Sequence, residues 1–250
     1  MTSLPSLPTP KRLGLVIDLD TCVGCHACAV ACKQWNDIGA FGPLSDEDTQ
    51  GAQPSGTWFN RVHSYDLLPE GGGHAMTVHF PRSCLHCENA ACVTVCPTGA
   101  SYKRVQDGIV LVDEAKCIGC KLCAWACPYG AREFDAAARV IKKCTLCVDR
   151  IYNETLEAWD REPACVQACP TRARHFGDLG DPASEVSRLV AERDGQALMA
   201  ELGYRPVNRY LPPRPRRGSG QNASEQTEED DYDTARLPSL LRWIDRALSR

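Results

Sequence analysis

Sixteen cysteines stand in this 250-residue chain, and their spacing is where its chemistry must lie. Cys22, Cys25, Cys28, Cys32 and again Cys117, Cys120, Cys123, Cys127 read C-x2-C-x2-C-x3-C. Cys84, Cys87, Cys92, Cys96 read C-x2-C-x4-C-x3-C, and Cys144 and Cys147 join Cys165 and Cys169 across a longer excursion to complete a fourth set. Pro97, Pro128 and Pro170 each follow the last cysteine of a set. Three thiols crowded on one tight loop suit a polynuclear cluster and suit disulfide pairing badly. Structural zinc uses pairs of C-x2-C, which would leave the third cysteine of each tight run without a role. The spacing therefore points to [4Fe-4S] cubes, four of them. A cube with four thiolates is coordinatively full, so it moves one electron and offers no open iron. No cysteine is left over as a nucleophile, and we expect no catalytic residue on this chain.

The elements that must position these thiols are short. Leu13 to Leu19 reads as a strand delivering the chain to Cys22, and Ala27 to Trp35 as a helix carrying Cys28 and Cys32. Asn36 to Gly56 is polar and rich in turn formers, a loop. Trp58 to Leu67 and Ala75 to Phe80 read as strands joined across Pro69 to Gly73, and Tyr102 to Val105 pairs with Ile109 to Val112 around Gln106-Asp107-Gly108. After Gly180 the composition changes. Asp181 to Leu202 has a helical rhythm, Pro206 to Gly220 is rich in proline and arginine, and Gln221 to Asp233 is an acidic linker. Leu237, Leu240, Leu241, Ile244 and Leu248 then form one apolar stripe at helical spacing. We expect this terminal helix to dock on a partner, with folding back on its own chain or lying on a membrane surface as alternatives.

The formal charge is −4. Each cube with its four thiolates carries −2, so the loaded protein would stand at about −12. Lys33, Lys121, Lys142, Lys143, Arg172 and Arg174 lie beside the cysteine loops and would offset part of this. No basic run or aromatic–basic alternation suggests nucleic acid, and no 18-residue apolar run suggests a transmembrane segment. Residues 1–20 show no apolar stretch ahead of a small-residue cleavage site, so no secretory signal is expected there.

The cysteine runs with their trailing prolines resemble bacterial ferredoxins, in which the fourth cysteine of a run ligates the other cluster of the pair. That resemblance implies an α+β fold of two 2[4Fe-4S] modules, one inserted into the other, with loop-rich connections and a C-terminal extension. Residues 12–80 and 135–180 would be the halves of the outer module, 81–134 the inserted one, and 181–250 the extension. Reciprocal ligation gives one cluster to Cys22, Cys25, Cys28 and Cys169, and a second to Cys32, Cys144, Cys147 and Cys165. A third falls to Cys84, Cys87, Cys92 and Cys127, and a fourth to Cys96, Cys117, Cys120 and Cys123. The alternative is that each run closes its own cube. His26 and His86 sit between ligating cysteines, but no thiol is missing for them to replace. His175 is a candidate to hydrogen-bond a redox partner or quinone. Trp35, Trp125 and Tyr129 are expected to cover the clusters from water.

The segments CVGCHACAVACKQWN, CLHCENAACVTVCPTGA, CIGCKLCAWACPYGAREF and KKCTLCVDR…PACVQACPTRARHFGD are similar to the four-cluster iron-sulfur subunits of the molybdopterin oxidoreductase family, over Leu13 to Asp178. The resemblance implies an electron wire between a large catalytic subunit with bis-molybdopterin guanine dinucleotide and an integral-membrane quinone-reactive subunit. It also implies a peripheral position at the cytoplasmic face of the inner membrane. GTWFNRVHSYD, Gly56 to Asp66, most resembles the iron-sulfur subunits of membrane-bound sulfite dehydrogenases, which pass electrons from sulfite to quinone. A reductase subunit running from quinol to thiosulfate, tetrathionate, polysulfide or a sulfoxide stays open, as does a free polyferredoxin.

Overall fold

The structure, a computed structural model, describes residues 4–37, 56–67 and 76–214. Strand β1 (Leu13–Asp18) is its central element. Leu15, Val16 and Ile17 are all without solvent exposure, the continuous apolar run of a strand covered on both faces. It pairs antiparallel with β8 (Arg174–Asp178), Leu13 opposite Asp178 and Ile17 opposite Arg174. Its other edge pairs in parallel with β9 (Arg209–Leu211). Between β1 and β8 come α1 (Ala27–Asn36), the long hairpin β2 (Asn60–Leu67) and β3 (Met76–Ser83), and the one-turn helix α2 (Ala91–Thr94). The hairpin β4 (Ser101–Lys103) and β5 (Val110–Val112) follows, then the one-turn helix α3 (Leu122–Trp125) and the hairpin β6 (Glu133–Asp135) and β7 (Val140–Lys142). Two further turns, α4 (Val148–Ile151) and α5 (Ala164–Gln167), lead into β8. The architecture is α+β, with the cysteines from Cys84 to Cys127 nested between two halves that close on each other through β1–β8 and α1–α5.

The main core joins Leu15, Ile17, Phe80, Leu85, Ile109, Leu146 and Tyr210 to several cysteines. On the opposite face of β1, Val16 and Leu211 meet Val186 of α6 (Glu185–Glu192). The helix approaches β8 so closely that a Cβ on Gly177 would fall 2.8 Å from a Val186 methyl.

The change in composition after Gly180 does not end the packed structure: α6 and β9 belong to the core. Asn208 is fully buried; its Oδ1 accepts from Leu15 N–H at 2.9 Å and its Nδ2 donates to the Cys84 carbonyl at 3.2 Å. Pro206 and Pro212 hide β9 from a pattern reading, and proline is tolerated there because β9 is an edge strand. Against the sequence expectation, Trp125 does not cover a cluster loop: the residue is 79 % exposed. Tyr129 is buried, and Trp35 is partly exposed with its indole N–H on Asp149. The apolar stripe from Leu237 to Leu248, the acidic linker, and most of the loop from Asn36 to Gly56 lie outside the described residues.

Candidate iron-sulfur cluster sites

All sixteen cysteines are free thiols, so the disulfide reading has no support in the fold. They gather in four places. Cys22, Cys25, Cys28 and Cys169 line one cavity, with Gly24, His26, Thr171 and Arg174. Cys96, Cys117, Cys120 and Cys123 line another, with Ser101, Ile141 and Arg132. Cys32 neighbours Cys144, Cys165 and Cys147, and Cys87 neighbours Cys84, Cys127 and Cys92. The fourth thiol of each run thus crosses to the partner run of its module.

The four places adjoin in a single order. Cys165 lies beside Cys28 of the first set, Cys144 beside Cys84 of the third, and Cys123 beside Cys92. The sequence runs Cys22 set, Cys144 set, Cys84 set, Cys117 set, with Cys25 and Cys120 exposed at the two ends.

The local backbone explains how short loops present so many thiols. The residue before the second cysteine is left-handed in all four runs: Gly24 at φ 67°, His86 at 47°, Gly119 at 67° and Leu146 at 55°. His26 and Lys121, each following a second cysteine, are left-handed as well. Such alternation turns successive amides toward one centre, a concavity that binds anions. Glycine takes this conformation freely, and at Gly119 a side chain would meet the Arg139 carbonyl at 2.5 Å.

Further donors address the sulfurs themselves. Ser101 N–H reaches Cys96 Sγ at 3.4 Å, Ile141 N–H reaches Cys117 Sγ at 3.4 Å, and Ala173 N–H reaches Cys169 Sγ at 3.2 Å. Asn36 Nδ2 reaches Cys147 Sγ at 3.4 Å. His86 is fully buried; Nδ1 accepts from Val110 N–H at 3.1 Å, which puts the proton on Nε2, and Nε2 has no partner among the described residues. Burial, then the charges of Lys143, Lys103 and Arg132, holds this imidazole well below its ordinary range, so it is neutral. Converging amides, N–H···S bonds and an unpartnered buried N–H in the Cys84 loop fit anionic cubes. Among the described residues, no three His, Cys, Asp or Glu side chains close on a point that would hold a single metal ion.

Burial sets the thiol chemistry. The Cys144 thiol is pushed up to about 12 by burial and then by Cys165 and Cys84, and Cys165 to about 11 by burial and then, against the pull of Arg174, by Cys147 and Cys28. Such thiols are protonated at neutral pH until iron displaces the protons, so loading releases protons and stabilises the fold.

The cations foreseen beside the cysteines divide. Lys33, Lys143 and Arg174 are buried. Lys33 donates to Asp37 at 2.8 Å, and Lys143 donates to the carbonyls of Val110 and Cys144. Lys121 instead sits over the Phe134 ring. Sequence reasoning missed Arg132, whose Nη2 reaches Cys92 Sγ at 2.9 Å and Ser101 Oγ at 2.8 Å. The signal was available: Arg132 is the fifth residue after Cys127, as Arg174 is after Cys169. Glu133, also unremarked, is buried against Arg61 at 2.6 Å and accepts from Trp58 N–H. Its carboxyl is raised by burial despite Arg61 and that amide. His175 takes its place in β8 opposite Val16.

Comparison with known proteins agrees with this geometry. Two models of a 4Fe-4S dicluster domain match residues 21–100 and 75–179. The chain is 58 % identical over 205 residues to a sulfite dehydrogenase subunit of Allochromatium vinosum, covering 81 % of this chain and 84 % of that one. That span is longer than Leu13 to Asp178, so likeness to relatives continues past the stretch the motifs mark. It is 43 % identical over 179 residues to the thiosulfate reductase electron transfer subunit of Salmonella typhi, covering 71 % and 80 %. It is 39 % identical over 197 residues to a polypeptide of the polysulfide reductase of Wolinella succinogenes, covering 78 % and 92 %. With two dicluster modules able to accept up to four [4Fe-4S] clusters and no catalytic role of its own, this protein belongs to the ferredoxin-like iron-sulfur, electron-transfer subunits of dimethyl-sulfoxide-reductase-type oxidoreductases.

Proposed function

We propose that this chain carries electrons from sulfite oxidation toward quinone. In this reading Cys22, Cys25, Cys28 and Cys169 hold one [4Fe-4S] cluster and Cys32, Cys144, Cys147 and Cys165 a second. Cys84, Cys87, Cys92 and Cys127 hold a third, and Cys96, Cys117, Cys120 and Cys123 a fourth. The observation that carries it is the linear adjacency of the four thiol sets, with an exposed cysteine at each end, since a wire needs two ends open to partners. Residues 12–80 with 135–180 form the outer module and 81–134 the inserted one, and the elements of 181–214 buttress the outer sheet.

The partners are a large subunit with bis-molybdopterin guanine dinucleotide, where the substrate reacts, and an integral-membrane quinone-reactive subunit. No helix among the described residues is long and apolar enough to cross a membrane. In this reading the chain is peripheral, held through that subunit at the cytoplasmic face. The terminal stripe, Leu237 to Leu248, serves as a tether to a partner. Sulfite as substrate is supported by the 58 % identity to a sulfite dehydrogenase subunit. The thiosulfate and polysulfide reductase relatives favour a second reading, the same wire run in reverse.

Two measurements test this. Anaerobically purified protein should hold about 16 iron and about 16 acid-labile sulfide, four of each per cube; about 8 iron in fully loaded material ends the four-cluster reading. The purified complex should reduce quinone with sulfite, and thiosulfate reduction without sulfite oxidation would select the reverse direction.

A further inference from the structure

Arg132 and Arg174 occupy matched positions, each five residues after the last cysteine of a run, and both are buried, at 1 % and 3 % exposure. A guanidinium keeps its charge at any pH the protein meets, and placing it out of water needs strong compensation. Each side chain touches two thiol sets. Arg174 lines the cavity of Cys22, Cys25, Cys28 and Cys169, while its Nη1 reaches Cys165 Sγ of the adjoining set at 3.5 Å and its Nη2 reaches Asn60 Oδ1 at 2.7 Å. Arg132 lines the cavity of Cys96, Cys117, Cys120 and Cys123, while its Nη2 reaches Cys92 Sγ of the adjoining set. One fixed positive charge is therefore wedged between the two thiol sets of each module.

We propose that Arg132 and Arg174 set the reduction potentials of the clusters in pairs, each arginine raising both clusters of its own module. This rests on the four-cluster reading above. Reduction adds one electron to a cube, taking it with its thiolates from −2 to −3 with no bond made and no proton moved; the electron comes from the substrate or, in a titration, from dithionite. A buried cation beside the sulfurs favours the more negative state on either side of it, and an N–H···S bond acts in the same direction. The charge also damps the repulsion that a reduced cube exerts on its neighbour, so the two clusters of one module can be reduced together.

The test is a dithionite redox titration of the purified complex followed by electron paramagnetic resonance, with iron counted on each sample. Arg132→Met should lower two of the four midpoint potentials, each by a tenfold change in the oxidised-to-reduced ratio, 59 mV for one electron. Arg174→Met should lower the other two, and the double variant all four. Movement of the same two clusters in both variants, of a single cluster in each, or of none overturns the proposal. If a methionine variant loses iron, Arg→Lys and Arg→Gln at that position decide: lysine should hold the potentials near the parent and glutamine should lower them, and equal potentials, or loss of iron in lysine and glutamine alike, overturn the proposal. A parent protein with about 8 iron would instead break the four-cluster reading, so the two failures are distinct.

Discussion

In the inserted module the hairpin β4–β5 lies between the two thiol runs it serves, and β6–β7 follows the second run directly, its Ile141 amide on Cys117 Sγ. The outer module uses the same cysteine scheme but closes across the whole chain: Leu13 pairs with Asp178, Arg12 N–H meets the Asp178 carboxylate, and Val16 pairs with Arg209. The difference is one of chain entropy. Local closure costs little, whereas bringing β1 to β8 must wait until the intervening residues have compacted. The inserted module thus shortens the loop that the outer one has to close. The outer module adds what the inner one lacks, a three-stranded sheet covered by α6.

The largest effect should come from the cross-run cysteines. Cys169→Ser should abolish or alter the cluster that Cys22, Cys25 and Cys28 share, and Cys32→Ser the one shared by Cys144, Cys147 and Cys165. Iron analysis with paramagnetic resonance reads this out. If Cys32→Ser instead altered the cluster of Cys22, each run would be closing its own cube and the two modules would not be interleaved.

Next is the length of chain the outer module needs. Ending the protein after Leu202 removes Asn208, which satisfies Leu15 N–H and the Cys84 carbonyl, and Tyr210, which is fully buried and stacked on Phe80 at 4.4 Å. Loss of one such aromatic alone costs about 3–5 kcal/mol, so that truncation should yield no soluble loaded protein. Ending after Arg214 should leave iron content and reduction by dithionite unchanged, because every cysteine and the β8–β1–β9 sheet lie upstream. Removing residues 237–250 should likewise spare the clusters and weaken only the hold on a partner subunit.

Glu133 ties the modules together. It opens β6 and receives Arg61 and Trp58 N–H from the β2–β3 side, at side-chain exposures of 6 % and 11 % for the carboxylate and guanidinium. Glu133→Ala deprives a buried guanidinium of this carboxylate and should destabilise by about 3 kcal/mol. Thermal unfolding of the loaded protein checks it. A loss below about 1 kcal/mol would mean that the two modules are fastened elsewhere, since that is the worth of one ordinary hydrogen bond.

These contrasts show what was legible in the sequence. The cysteine sets, β1, α1 and the β4–β5 hairpin were readable because ligand spacing and apolar runs are local signals. The pairing of residues 209–211 was not, since three residues between prolines carry no period, and their burial depends on a partner strand almost 200 positions earlier. Glu133 was invisible for a similar reason: a buried carboxylate has no signature apart from the arginine that a distant hairpin supplies. Arg132 was legible in principle, by aligning the residues after Cys127 with those after Cys169, but only the second of the pair stood out.

The smallest effect separates two aromatics that looked alike in sequence. Trp125 and Tyr129 each stand two residues from Cys127, yet Tyr129 is buried beside Cys87 and Cys127 while Trp125 stands in solvent with Ile118 and Leu122 also exposed. Trp125 ends α3 three residues after the exposed Leu122 and shares its outer face, while Cys123 is the buried residue of that helix. Trp125→Ala should therefore change stability by no more than about 0.5 kcal/mol and leave iron content and air sensitivity as they are. Tyr129→Ala opens a space over the Cys84 set and should hasten loss of iron in air. If the tryptophan variant lost iron as fast as the tyrosine one, Trp125 would be shielding a cluster after all, and the exposed end of the inserted module would be more closed than its geometry states.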